Sequence, residues 1–407
     1  MISPPTLHAP VLKTAEDYAL VGRELSSIDN ARRQRLKRLP PLAPPAPSIE
    51  VPLTTISREW NFDALVHIRF REAPESSSPC LWDSVGAPGN PSPCLIVDSG
   101  NSTLVVPDFA CIEKLPHFNE NYTILADQTN EPFGCPAKIL RGPIQIFTTA
   151  GFYEITKCVF YACTDVNDQN QRTANFGLGW ISPWWQTNVH SVPTMQPPLT
   201  YDNSHPHVEI KYAPAATVLA TGRAPKVAER SALVLRQAKP PGYRTFDIIG
   251  NLLWMSLEAR SLTIGPAKTG WPGAPASGAS PAIAMVDTGG GPVFLSDPHA
   301  YVYADEWPQQ VACPDWAITS GSTPCRAVSD PLTIELGDNL HCFSYQIDTQ
   351  LLPEAVQDLT LVMCKKCYYM MDNYGMNIGG ISALFNYILI DYQNGKVGFM
   401  TKEPALI

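Results

Sequence analysis

The sequence predicts an all-β protein built from two related lobes. The 40 prolines and 26 glycines cluster between short apolar runs, and those runs are rich in β-branched residues, which suit strands better than helices. One short pattern also occurs twice. Cys94-Leu-Ile-Val-Asp98-Ser99-Gly100-Asn101-Ser reads as an apolar strand, an aspartate, a hydroxyl residue and a glycine. Ala282-Ile-Ala-Met-Val-Asp287-Thr288-Gly289-Gly290 reads the same way. Each copy sets a carboxylate at the end of a buried strand, where glycine lets the chain turn sharply. Two copies imply a duplicated lobe that brings Asp98 and Asp287 together.

The bulk composition fits this reading. The chain has 407 residues, 44% of them hydrophobic, enough for two domain-sized lobes. A net charge of −9 disfavours a nucleic-acid partner. No run of 18 apolar residues is present, so no membrane span is expected. The start, Met1-Ile-Ser-Pro-Pro-Thr-Leu-His, has no apolar core of a signal peptide. The expectation is an intracellular protein, or a secreted one whose signal was removed from this sequence. The 11 cysteines leave at least one thiol free if all others pair, and leave the compartment open. The sequons at Asn101 and Asn121 read as chance matches, since a glycan on Asn101 would obstruct the first aspartate turn.

Along the chain, residues 13–38 are expected to be helical and end in the basic run Arg32-Arg-Gln-Arg-Leu-Lys-Arg38. A polyproline-type linker follows over residues 40–47. This head, residues 1–48, reads as a solvated tail or as a prosegment laid on an acidic cleft. Strand patterns follow at 62–70, through the first aspartate segment into 103–107, then at 143–147 and 155–162. Asn175-Phe-Gly-Leu-Gly-Trp180 reads as a buried glycine-rich turn, and 187–206 as a long loop. Strands resume at 208–212, 231–235, 252–257 and 261–265. A Gly/Pro/Ala-rich loop then delivers the second aspartate segment. Further strands are expected at 332–336 and 359–363, and a closing hairpin over 387–399 turns at Asn394-Gly395. The N-terminal lobe is placed at 49–240 and the C-terminal lobe at 241–407, with the boundary near Ala238–Tyr243.

Other constellations carry less. Cys364-Lys-Lys-Cys367 has redox or half-zinc spacing, but no second pair is visible and the local pattern is β. It reads more simply as a disulfide partner and a spare thiol. His205-Pro-His207 fits a polar loop better than a metal site, and Trp184-Trp185 fits lobe packing. Cys158 and Cys163 form either a short disulfide or two buried thiols.

Together these segments resemble the pepsin-like aspartic peptidase family. Asp98-Ser-Gly-Asn-Ser-Thr-Leu-Val-Val-Pro107 is similar to that family's first active-site loop. Asn175–Trp180 resembles the glycine turn after the flap, and Trp254–Gly265 the strand pair before the second aspartate. Asn377-Ile-Gly-Gly380 through Phe399 resembles the closing segment. The four anchors stand in family order and span most of residues 55–402. The resemblance implies a bilobal pepsin-like fold with an active-site cleft between the lobes. It also implies a disulfide from Cys325 to Cys364 or Cys367 in an oxidising environment.

The implied chemistry follows from like-charge repulsion. Two carboxyls about 3 Å apart cannot both ionise, so the pair shares one proton. The ionised member acts as general base on a bound water and the protonated member donates to the scissile carbonyl. Asp98 and Asp287 are the catalytic candidates. Ser99, Gly100, Asn101, Thr288, Gly289 and Gly290 support them, the two hydroxyls bonding across the lobe interface.

Three departures from the family stand out. Asn101 and Gly290 occupy positions where the family carries Ser or Thr, and Gly291-Pro292 follows. With fewer donors, the carboxylate pKa should rise. No Tyr-Gly marks a flap between 120 and 160. Phe133-Gly134 and Tyr153 are the nearest candidates, and Tyr153 is taken as the candidate flap residue.

The expected activity is aspartic endopeptidase, acting as a monomer on a peptide in the cleft and needing no cofactor. The alternative is a non-proteolytic use of the same fold, as a binding or inhibitory protein or as an acid–base enzyme on a small molecule.

Overall fold

The structure, a computed structural model, describes residues 48–58, 61–74, 89–128, 136–165, 174–179, 196–211, 231–249, 255–264, 267–270, 282–289, 293–295, 310–311, 325–328, 332–336, 343–347, 361–364, 376–378 and 386–401. The head 1–47, Phe133-Gly134, Trp184-Trp185, Gly290-Gly291-Pro292 and Cys367 lie outside them. Among the described residues the chain is mostly strand. No helix there is long and apolar enough to cross a membrane.

The described strands form three sheets. The first has eight strands in the order Thr54–Arg58, Asn61–Phe70, Cys94–Asp98, Asn175–Gly177, Leu104–Val106, Gly151–Cys163, Ala137–Thr148 and Thr123–Gln128. The second runs Gln310–Val311, Cys325–Val328, Leu361–Cys364, Val293–Leu295, Met376–Ile378, Ala282–Val286, Ser256–Ile264, Leu332–Leu336 and Phe343–Ile347, with Ala267–Gly270 beside Ser256–Ile264.

The centres of these two sheets repeat one plan. Cys94–Asp98 pairs in parallel with Asn175–Gly177, which pairs antiparallel with Leu104–Val106, which in turn runs parallel to Gly151–Cys163. Ala282–Val286 pairs in parallel with Met376–Ile378, which pairs antiparallel with Val293–Leu295, itself parallel to Leu361–Cys364. The parallel pairings need long crossovers, so each aspartate strand is clamped against a strand from much later in the chain. The repeated aspartate motif is therefore part of a repeated topology.

The third sheet has the order Ile49–Pro52, Ala232–Arg236, His207–Lys211, Asn386–Asp391, Lys396–Thr401 and Arg244–Asp247. It takes strands from both sides of the boundary near Ala238–Tyr243. The closing hairpin forms as the Asn394-Gly395 signal indicated, with Gly395 at φ 65°.

One apolar core runs through all three sheets. It includes Leu65, Ile68, Leu95, Val97, Phe160 and Phe176 from the first, Leu257 and Val286 from the second, and Val208, Ile210, Ile390 and Phe399 from the third. Burying each large side chain is worth about 1.5–3 kcal/mol relative to exposure. The aspartate strands are apolar on both faces for this reason: Cys94, Leu95, Ile96 and Val97 are all buried.

Some expectations need correction. Of the strand patterns at 252–257 and 261–265, residues 252–254 and 265 lie outside the described residues. Ser256–Ile264 is one strand with a register shift between Ala259 and Ser261, and an irregularity of that kind breaks the side-chain alternation that marks a continuous strand. The loop reading of 187–206 misses a 3-10 turn at Pro198–Thr200. It also treats His205 as a polar loop residue, whereas His205 and its neighbour His207 are both buried. Of the two alternatives left open for Cys158 and Cys163, the structure has buried free thiols. Five positions apart on one strand, they point to opposite faces and enter different apolar clusters.

Candidate active site

The site begins where the two aspartate strands end. Asp98 is the last residue of Cys94–Asp98, and Asp287 follows Ala282–Val286 directly. Both are partly buried, while Ser99 and Thr288 are buried completely. The two hydroxyl residues, 189 positions apart, bond reciprocally. The Ser99 amide donates to Thr288 Oγ1 at 2.9 Å, and the Thr288 amide donates to Ser99 Oγ at 2.9 Å. Each hydroxyl then donates onward, Ser99 Oγ to the Val286 carbonyl and Thr288 Oγ1 to the Val97 carbonyl, both at 2.9 Å. Every polar group of this crossing is paired, as burial demands.

The crossing turns the carboxyls toward each other. A methyl group in place of the Gly100 hydrogen would sit 2.5 Å from Asp287 Cγ, and one on Gly289 would sit 2.5 Å from Asp98 Cγ. Each glycine thus lies against the aspartate of the other motif, and only a residue without Cβ fits. Asp287 is the charged side chain that acts most strongly on the Asp98 carboxyl.

Asp98 is held from several sides. Its Oδ1 accepts from the Gly100 amide at 2.7 Å and the Asn101 amide at 3.1 Å. Its Oδ2 accepts from Asn175 Nδ2. Its backbone carbonyl accepts from the Leu178 amide at 2.7 Å, and the Leu178 carbonyl accepts from the Tyr392 hydroxyl at 2.6 Å. The buried Tyr392 side chain thereby ties the closing hairpin to the aspartate loop. Burial pushes the Asp98 carboxyl well above the usual carboxylate range, and the charge of Asp287 pushes the same way. The Asn175 and Gly100 donors oppose both. The rise agrees in direction with the sequence reading, but its main cause is desolvation rather than a shortage of donors.

One supporting residue is placed differently from expectation. Asn101 supports Asp98 through its backbone amide. Its side-chain Oδ1 instead accepts from the Thr103 amide and hydroxyl, at 3.0 and 3.1 Å, and its buried Nδ2 has no partner among the described residues. The side-chain donor comes from Asn175, which sequence reading treated only as part of a glycine-rich turn. The available signal was an amide set between Ala174 and Phe176 in a strand that is otherwise apolar and buried.

Tyr153 stands on Gly151–Cys163 opposite Ile146, packed against the apolar core. Its ring meets His205 edge-on, with the hydroxyl 3.5 Å from His205 Nδ1. Tyr153 lies three positions past the Thr149–Ala150 turn. His205 also contacts the Ser204 hydroxyl at 2.7 Å, and His207 Nδ1 faces Asp391 Oδ1 at 3.4 Å.

Two cysteine findings bear on the surroundings. Cys94, at the start of the first aspartate strand, is disulfide-bonded. Cys325 and Cys364 are direct register partners on antiparallel strands.

The chain matches no protein-family model and no curated protein.

Proposed function

We propose that this protein is a pepsin-like aspartic endopeptidase, a bilobal all-β enzyme whose substrate lies in a cleft between the lobes. One observation carries the reading: Asp98 and Asp287, from equivalent positions in two sheets of matching topology, face each other across the reciprocal Ser99–Thr288 bonds. Two carboxyls so close share one proton. The ionised member takes a proton from a water held between them, and that water attacks the peptide carbonyl. The protonated member donates to the carbonyl oxygen as the tetrahedral intermediate forms. A proton then passes to the leaving nitrogen as the C–N bond breaks.

The disulfide at Cys94 supports an oxidising compartment, where such bonds persist. The register of Cys325 against Cys364 supports the pairing the family resemblance implies. The net charge of −9 supports a peptide rather than a nucleic-acid partner. Residues 1–48 take the role of a basic prosegment in this reading.

The test is hydrolysis of an unfolded protein between pH 3 and 7, by the full chain and by chain cleaved after the head. The expected result is cleavage between apolar side chains, inhibition by a statine-type inhibitor, and loss of cleavage in Asp98→Asn and Asp287→Asn. Absence of cleavage across that range by either form overturns the proposal.

A further inference from the structure

Asn175 lies at the start of the short strand Asn175–Gly177, against Ile96 on one side and Val105 on the other. It is 6% exposed, and its Nδ2 donates to Asp98 Oδ2. Only the amino end of an amide can face a carboxylate oxygen favourably, so the contact fixes the orientation of the side chain. The Asn175 carbonyl Oδ1 is thereby left buried without a partner among the described residues. A side chain kept for packing alone would not retain an amide at that cost. The two Asp98 oxygens are also served unequally. Oδ1 takes two backbone amides that any sequence with this turn supplies, whereas Oδ2 takes a donor that depends on a side chain.

We infer that Asn175 is a positioning residue of the aspartate pair, holding the orientation of the Asp98 carboxyl and favouring its ionised form. This rests on the peptidase reading for its meaning in catalysis, but the contact itself is testable without activity. An N–H donor stabilises a carboxylate more than a carboxylic acid, so its removal makes the pair harder to ionise. Burial and the charge of Asp287 already push Asp98 in that direction. Asn175 works against them and keeps one ionised carboxylate available as base in mildly acid solution. Because it reaches Asp98 through a hydrogen bond and touches no reacting atom, its effect falls on the pH dependence and on turnover rather than on substrate affinity.

The experiment uses full-length protein with 13C-labelled aspartate carboxyls, comparing wild type with Asn175→Leu, which keeps the volume and removes the donor. The carboxyl resonances of the pair are assigned through Asp98→Asn and Asp287→Asn and followed from pH 2 to 9. The first ionisation of the pair is expected to rise by one pH unit or more in Asn175→Leu. In the active enzyme, the acid limb of kcat/KM should move up by the same amount, with kcat falling about tenfold or more and KM changing little. An unchanged or lowered ionisation overturns the assignment.

If Asn175→Leu fails to fold, wild type labelled with 15N on asparagine amides gives the answer. One side-chain amide pair must shift with the ionisation of the aspartates, and that movement must vanish in Asp98→Asn. No such resonance means no such contact. If wild type cleaves no peptide while the ionisation still moves in Asn175→Leu, the peptidase reading fails and the role of Asn175 stands.

Discussion

Ser99 and Thr288 hold each other's backbone amides through their hydroxyls, at 2.9 Å in both directions. Neither residue carries a charge, yet the meeting of Asp98 and Asp287 depends on this exchange. Each hydroxyl also satisfies a carbonyl of the opposite aspartate strand, so removing one leaves a buried donor and a buried acceptor without partners.

Thr288→Val keeps shape and removes the hydroxyl. It should cost about 1–3 kcal/mol of stability for the orphaned groups, read as a lower urea midpoint at unchanged slope. Thr288→Ser keeps the hydroxyl and should retain more activity than Thr288→Val, although it loses a buried methyl. Equal activity in the two variants would show that the crossing does not set the geometry.

Gly100→Ala and Gly289→Ala should each be damaging, since the added methyl would lie 2.5 Å from the carboxyl carbon of the opposite aspartate. Crowding of this kind typically costs about 1–3 kcal/mol. Activity should fall by about a hundredfold or more as the carboxyls are forced apart. Wild-type turnover in either variant would contradict the placement of the two loops.

Asp98→Asn should abolish general acid–base catalysis, a loss of about 10²-fold or more, while stabilising the fold near neutrality. The sign follows from linkage. The folded-state pKa of Asp98 is raised, so folding disfavours its ionised form. Its contribution is therefore most favourable below the unfolded carboxylate value of about 3.9 and is lost as pH rises through the folded value. Thermal midpoints from pH 3 to 8 should decline with pH more steeply in wild type than in Asp98→Asn. Parallel curves would mean that Asp98 is not desolvated.

His205 and His207 give the opposite slope. Burial holds both below the usual histidine value, against the pull of Asp202 on His205 and of Asp391 on His207, with Lys239 adding to the lowering at His207. Folding therefore favours neutral rings. Their contribution is intact above the unfolded value of about 6.5 and is lost as pH falls below it. His207→Gln should flatten this acid-side loss, seen as smaller change in the thermal midpoint between pH 7 and 5. An unaltered midpoint profile would remove His207 from the acid response.

The paired aspartates were legible because a motif repeated within matching flanks is a local signal, and the structure sets both copies in the same strand arrangement. Asn175 was not legible, since its contact with Asp98 spans 77 positions and no short pattern encodes it. Asn101 misled for a related reason. A side chain at that position can reach either Asp98 or Thr103, and the choice of Thr103 is made by the turn. His207 read as polar loop because a Pro-His pair beside Asn and Ser resembles surface. It in fact opens the strand His207–Lys211, which is buried almost throughout between two neighbours. The six-stranded sheet was hidden for the same reason as Asn175, being assembled from segments that sequence order keeps apart.

That sheet has a kinetic consequence. Its inner strand His207–Lys211 is flanked by Ala232–Arg236 and Asn386–Asp391, and its rim holds Ile49–Pro52. Pairings between such distant segments are slow to form, because the entropy of closing the intervening loops is lost before the contacts reward it. During synthesis, the sheet must wait for residues near 400 to leave the ribosome. Tyr392 arrives with those residues and carries the bond to Leu178. The loop bearing Asp98 is thus braced only after residue 392 has been translated, and a ribosome stalled upstream of the closing hairpin would release a chain whose aspartate loop lacks that brace.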